Sequence, residues 1–84
     1  MKRLPFQEPD WAAAPPWAAW WAVDKDGLPY WYAERPDAPG KSVWWNEIGS
    51  QRQRVQPIGR LCRLDMTGVN WRETLRGRNG NTNG

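Results

Sequence analysis

The sequence contains no histidine and a single cysteine among its 84 residues. A disulfide within the chain is therefore impossible, and a zinc site built from cysteine and histidine is excluded. A serine or cysteine nucleophile would have no histidine to act as its base. The chain also lacks a dense group of acidic residues of the kind that binds metal through oxygen, and it lacks a glycine-rich phosphate loop. We therefore expect no enzymatic activity, no metal and no cofactor.

Long apolar runs are also lacking. The longest run covers residues 11–23, and Pro15 and Pro16 interrupt it. It is too short to cross a bilayer, which requires about 20 helical residues. The basic first three residues are not followed by the apolar core of a signal peptide. We therefore expect a cytoplasmic protein, here the cytoplasm of a host cell, with no membrane partner.

Tryptophan is in excess, with eight residues in the chain. A chain this short forms one small domain, and without metal or disulfide its large side chains must supply much of the buried area. Two tyrosines and one phenylalanine bring the aromatic residues to eleven. That number is large for a sheet with one buried face, so we expect some aromatic rings to remain exposed.

Charge divides the chain into two unlike parts. Residues 1–49 carry five Lys/Arg and seven Asp/Glu, a net charge of −2, together with seven of the eight tryptophans. Residues 50–84 carry seven arginines and two acidic residues, a net charge of +5. The aromatic residues and the arginines are thus concentrated in different parts of the chain.

The pattern of residues predicts a mainly β fold, a small antiparallel sheet of three to four strands with a short C-terminal helix. Residues 1–16 contain four prolines and are expected to form an extended arm. Residues 17–77 would form the single small domain, and the polar residues 78–84 a flexible tail.

Asp26 and Gly27 lie between two aromatic runs, which is typical of a β-hairpin. A loop of residues 25–27 would place Trp21 opposite Trp31. A loop of Asp26 and Gly27 alone would shift the pairing by one residue and exchange the two faces of the sheet. A helix over residues 16–24, beginning at a proline and rich in alanine, is the alternative.

Further elements are predicted after the hairpin. Residues 41–46 are expected to form a third strand, and residues 52–56 a fourth, which Pro57 would restrict to a sheet edge. Asn70, with a glutamate three positions later, is typical of a helix start, and Gly77 of its end.

Two resemblances concern function. Asp10-Trp11, Trp21-Ala22-Val23-Asp24-Lys25-Asp26-Gly27, Tyr30-Trp31-Tyr32, Trp44-Trp45 and Asn70-Trp71-Arg72-Glu73-Thr74-Leu75 resemble a group of small phage and prophage proteins. The similarity covers about residues 10–46 and 70–76 and implies a phage accessory protein. Because that group has no common assigned function, the resemblance assigns no site residues.

The second resemblance is architectural. Trp20, the turn, the aromatic run 30–32 and Trp44 are similar to the three-stranded WW module, which binds proline-rich peptides in an aromatic groove. The histidine of that family is missing here. A WW-like module for proline-rich peptides is therefore one alternative function.

Stoichiometric protein binding is the function that the composition favours, because tryptophan, tyrosine and arginine dominate interface hot spots. The partner would be a host protein or complex, such as a defence factor inhibited in the manner of an anti-CRISPR protein, and self-association is a further alternative. The candidate residues for protein binding are Trp17, Trp20, Tyr30, Trp31, Tyr32, Trp44 and Trp45.

Nucleic-acid binding is the other alternative, through phosphate contacts and base stacking. The candidate residues for nucleic-acid binding are Arg52, Arg54, Arg60, Arg63, Arg72 and Arg76.

Overall fold

The computed structural model describes residues 3–47, 49–55 and 63–78. In order along the chain, these residues form strand β1 (Arg3–Leu4), a 3₁₀ turn (Trp11–Ala13), β2 (Trp20–Val23), β3 (Pro29–Tyr32), β4 (Arg52–Arg54), β5 (Arg63–Leu64), a second 3₁₀ turn (Trp71–Glu73) and β6 (Arg76–Gly77). The main sheet has four antiparallel strands in the order β4-β3-β2-β6. Strands β1 and β5 form a separate parallel pair.

The β2–β3 hairpin is the centre of the sheet. Trp21 lies opposite Trp31, and the Asp24 amide donates a hydrogen bond to the Leu28 carbonyl at 3.0 Å. The loop is therefore residues 25–27, the first of the two registers considered from the sequence. The alternative of a helix over residues 16–24 is wrong, because residues 20–23 pair with β3, and Trp20 and Trp21 pair with β6 as well.

The N-terminal arm covers one face of this hairpin, which we call the arm face. Trp21, Val23 and Trp31 are buried there. Phe6 packs edge-on against Trp21 with ring centroids 6.2 Å apart, and Trp11 lies 5.1 Å from Trp31. Residues 3–16 are thus packed against the sheet, and the pairing of β1 with β5 holds the start of the arm beside it.

The opposite face, which we call the Trp44 face, is covered by later parts of the chain. Ala22 and Tyr32 are buried against Trp44, Trp71 and Leu75. Thr74 joins this layer to the sheet: its hydroxyl accepts a hydrogen bond from the Val23 amide at 2.9 Å and donates to the Trp71 carbonyl at 2.7 Å. The sheet is therefore buried on both faces, because neighbouring residues of a strand point to opposite sides.

Residues 41–46, the third strand predicted from the sequence, do not form a strand. They cross the Trp44 face, and their β-type pairing is an isolated bridge between Asp37 and Trp45. The physical reason is that the Trp44 amide donates to the Asp24 carboxylate and not to a strand backbone. The expected fourth strand, 52–56, is present over Arg52–Arg54 as β4 and takes the edge position beside β3. Gln56 lies outside the described residues.

The predicted C-terminal helix is also wrong. Asn70 does cap a helical turn, since its side chain accepts from the Arg72 amide at 3.1 Å, but the turn is 3₁₀ and covers only Trp71–Glu73. The chain then extends as β6 and pairs with β2. An extended chain here satisfies backbone groups of β2 that would otherwise form an open edge. Of the tail predicted over 78–84, the structure describes only Arg78.

Gly27 is the position where the hairpin loop tolerates no side chain. Its φ of +92° is left-handed, and a Cβ there would overlap the Leu64 carbonyl oxygen. Gly68 has a similar φ of +74° but open space around it.

We expect Gly68→Ala to lower the free energy of unfolding by about 1–2 kcal/mol through backbone strain alone. Gly27→Ala should cost a further ~1–3 kcal/mol from the overlap. Urea unfolding measures both, and equal losses would contradict this packing of the loop against β5.

Candidate protein-binding surface

The segment 42–46 is fixed to the end of the hairpin by three hydrogen bonds. The Trp44 amide donates to the Asp24 carboxylate at 2.9 Å, and the Trp44 indole N–H donates to the Val23 carbonyl at 3.0 Å. The Lys25 amide donates to the Ser42 carbonyl at 2.9 Å. Trp44 is 5% exposed, and its ring lies edge-on to Trp71 at 6.0 Å. The segment is therefore held in one place by its central residue.

Val43 and Trp45 project outward because Trp44, between them, points into the core. Their exposed fractions are 48% and 52%, and they are the exposed large hydrophobic residues of the described part of the chain. Trp45 is braced by Asp37, with which it exchanges two backbone hydrogen bonds of 2.7 and 2.9 Å. We call Val43 and Trp45 the apolar tip. A half-exposed indole on a fixed backbone is typical of an interface anchor, since little conformational freedom is lost on binding.

A polar depression lies beside the tip. It has a volume of about 280 Å³ and is lined by Trp45, Asn46, Glu47, Gly49, Ser50 and Arg52. The Asn46 side-chain amide donates to the carbonyls of Glu34 and Arg35, while its carbonyl oxygen is buried with no hydrogen-bond partner among the described residues. The depression therefore places polar side chains, Asn46, Ser50 and Arg52 among them, directly beside the exposed indole.

Asp24 is a buried carboxylate beneath the tip. It is 5% exposed, and burial raises its pKa above the ordinary value, an effect that the hydrogen bond from the Trp44 amide opposes. Asp26 raises the pKa further, whereas Arg52 lowers it. On the same face, the Tyr32 hydroxyl is buried, and burial raises its pKa as well, an effect that the nearby Arg52 guanidinium opposes. The anchor of segment 42–46 is therefore an acceptor kept in a poorly solvated site.

The structure distributes the seven aromatic candidates for protein binding between core and surface. Trp31, Tyr32 and Trp44 are buried and lie out of a partner's reach. Trp17, Trp20 and Tyr30 are half-buried, and arginines lie over two of these rings, Arg35 over Trp20 at 5.7 Å and Arg52 over Tyr30 at 4.9 Å. Trp45 is the candidate that remains open.

The arginine candidates for nucleic-acid binding are largely engaged within the molecule. Arg63 forms an ion pair with Asp26 at 2.7 Å and Arg76 with Glu8 at 2.8 Å. Arg52 lies over Tyr30 and Arg72 over Trp71, at 4.9 and 4.8 Å from the ring centroids. Arg54 is half-buried on the edge strand β4. Arg60 lies outside the described residues.

Sequence reasoning missed Val43 and the role of Asp24. The signal for Val43 was available in the alternation around Trp44, because residues on either side of a buried residue in extended chain point away from the core. In the sequence, Asp24 has only the features of a residue that flanks a turn, and its contact with a residue 20 positions later cannot be found from local spacing.

No protein-family model, curated protein or solved structure matches the chain. Among residues 3–47, 49–55 and 63–78, no group of three or more Cys, Asp or Glu side chains is placed to hold a metal ion. Nor does any helix in that part of the chain have the length and apolar character needed to cross a membrane.

The raised pKa of Asp24 predicts how stability depends on pH. Because the folded protein binds this proton more tightly than the unfolded chain, the ionised carboxylate destabilises the fold at neutral pH. Asp24→Asn keeps an acceptor for the Trp44 amide and removes the charge. We expect it to raise the free energy of unfolding at pH 7. This gain should disappear as the pH falls through the raised pKa and below the ordinary value of 3.8.

Asp65 provides the matched control of opposite sign. Its carboxylate accepts from the Thr67 amide and hydroxyl, and these bonds lower its pKa. Asp65→Asn should therefore reduce stability at neutral pH, and the difference from the unmodified protein should vanish in acid as Asp65 becomes protonated. Denaturant unfolding over a pH series measures both variants. A loss of stability in Asp24→Asn at neutral pH would contradict the assignment of Asp24 as a desolvated group.

Proposed function

We propose that the protein acts by stoichiometric binding of another protein and that the apolar tip is the centre of the interface. The observation that carries the proposal is that Trp45 is 52% exposed although its backbone belongs to a fixed segment. Its neighbour Trp44 is only 5% exposed and forms two hydrogen bonds with the hairpin. Tryptophan is among the residue types most enriched in interface hot spots. The Trp45 backbone is fixed by Asp37, and among the described residues its ring pairs with no other aromatic ring and no arginine, which supports an external contact for it.

The phage-like sequence pattern supports a host protein as the partner, with inhibition of a host or defence factor in the host cytoplasm as the biological outcome. The absence of histidine supports an action by binding and not by catalysis. Nucleic-acid binding has less support, because four of the five arginine candidates described lie against rings or carboxylates of the same chain. A proline-rich ligand has less support because the faces of the β2–β3 hairpin are already covered.

Capture from nuclease-treated host lysate, followed by affinity measurement with the identified partner, tests the proposal. We expect Trp45→Ala to weaken binding by about tenfold or more, as truncation of a hot-spot tryptophan does. Its thermal unfolding should stay close to that of the unmodified protein, because a half-exposed ring contributes little to the core. Gln53→Ala, which truncates an exposed residue of β4, serves as the control and should bind normally.

Three results would contradict the proposal. Trp45→Ala could bind the partner as tightly as the unmodified protein. Capture could disappear on nuclease treatment and weaken steeply with salt, as expected for a nucleic-acid ligand. Light scattering could show a dimer that Trp45→Ala converts to a monomer, which would identify the tip as a self-association surface.

A further inference from the structure

Three cationic residues lie in or contact the loop that precedes Val43. Lys41 lies in the loop that leads to Val43, and the Lys25 amide donates to the Ser42 carbonyl of that loop at 2.9 Å. The Arg72 guanidinium donates to the Gly40 carbonyl. All three residues are exposed. We call Lys25, Lys41 and Arg72 the basic rim.

Acidic residues near the rim offset little of this charge. Asp26 follows Lys25 but is bound to Arg63 at 2.7 Å, and Asp24 is buried. Glu73 is exposed next to Arg72. Asp37 and Glu47 belong to the Trp45 end of the tip, where Asp37 pairs with the Trp45 backbone. The Val43 side of the tip therefore has three exposed cations against the exposed carboxylate of Glu73, whereas at the Trp45 side Arg52 offsets part of the negative charge of Asp37 and Glu47.

We infer that the partner is a protein surface with an apolar pocket that takes Val43 and Trp45 and with carboxylates on the side that faces Lys25, Lys41 and Arg72. The inference rests on the proposed function and adds the chemistry of the partner. Charge complementarity of this kind speeds association and fixes the orientation of the two surfaces.

A protein fits this surface better than a nucleic acid does. Val43 offers an aliphatic contact that phosphates do not use, whereas an apolar pocket does. Arg72 is bound to the Gly40 carbonyl and lies 4.8 Å from the Trp71 ring centroid, so it presents a fixed charge at one side of the tip. A site for phosphates would require several arginines directed to one groove, and the described arginines lie against different parts of their own chain.

A displayed library of short random peptides, selected on the immobilised full chain at neutral pH, tests the inference. Peptides that Trp45→Ala no longer binds report on the tip, and among these we expect enrichment of Asp and Glu together with apolar residues. The double variant Lys25→Glu and Lys41→Glu should bind the selected peptides about tenfold more weakly or worse at low salt. The loss should shrink at high salt because exposed charges are screened.

The control variant is Gln51→Glu with Gln53→Glu. Both residues are exposed: Gln53 lies in β4, and Gln51 lies just before it. Because neighbouring residues of a strand point to opposite sides, Gln53 points away from the Trp44 face. Each of its two substitutions adds one negative charge, so the control matches in net charge the single variant Lys41→Glu, which is measured beside the double variant and should also weaken binding of the selected peptides. We expect this control to bind the selected peptides as the unmodified chain does. Loss of binding in the control equal to that of Lys41→Glu would overturn the inference, because the effect would then be one of net charge and not of the basic rim.

The outcomes separate this inference from the proposed function. Peptides that depend on Trp45 but lack acidic residues would overturn the partner chemistry and leave the tip as an interface. A selection in which no peptide depends on Trp45 would count against both. Binding of single-stranded oligodeoxythymidylate that is lost in the rim double variant would overturn the inference in favour of a nucleic-acid ligand.

Discussion

Both faces of the β2–β3 hairpin are buried, and the need to cover them determines where the other segments of the chain lie. Strands of four residues bury little area on one side, and a small domain without metal or disulfide depends on large side chains for its core. Large rings on both sides solve this problem. Trp21 and Trp31 face the arm, while Ala22 and Tyr32 face Trp44, Trp71 and Leu75.

The covering layers also explain where the exposed surface lies. The arm reaches its face through aromatic contacts, with Phe6 against Trp21 and Trp11 against Trp31. The other face needs a ring from the 42–46 segment, and Trp44 supplies it through hydrogen bonds to Asp24 and Val23. Because Trp44 turns inward, its neighbours turn outward. The apolar tip is thus a consequence of core packing, and its fixed backbone is the basis on which binding is proposed.

The sequence was informative where local chemistry decides the structure. The Asp-Gly turn, the paired aromatic runs and the Asn70 cap were all visible in short stretches of residues. The aromatic excess predicts a core rich in large rings. The number of exposed rings expected from it assumes a sheet with only one buried face. With two faces to cover, the chain buries four of its tryptophans and half-buries three, so the surplus is smaller than the composition indicated.

Long-range contacts decided the features that the sequence did not reveal. Residues 41–46 have strand-like composition, yet the Asp24 carboxylate takes the Trp44 amide and draws the segment across the sheet. Residues 70–77 have a helix cap and a helix stop, yet Arg76 and Gly77 are extended and pair with the edge of β2 that β3 leaves open. In both cases a contact with a residue distant in the sequence determines the conformation, and the conformation that the local residues favour is not adopted.

The proposed surface depends on Trp44 being buried in the core and on Trp45 being half exposed to water. Fluorine NMR of the protein labelled with fluorotryptophan, with each resonance assigned by a Trp→Phe substitution, tests it through the shift between H₂O and D₂O. The structure predicts the largest solvent shift for the Trp45 resonance and almost none for Trp44. A Trp44 shift as large as that of Trp45, or a Trp45 resonance insensitive to solvent, would contradict the account.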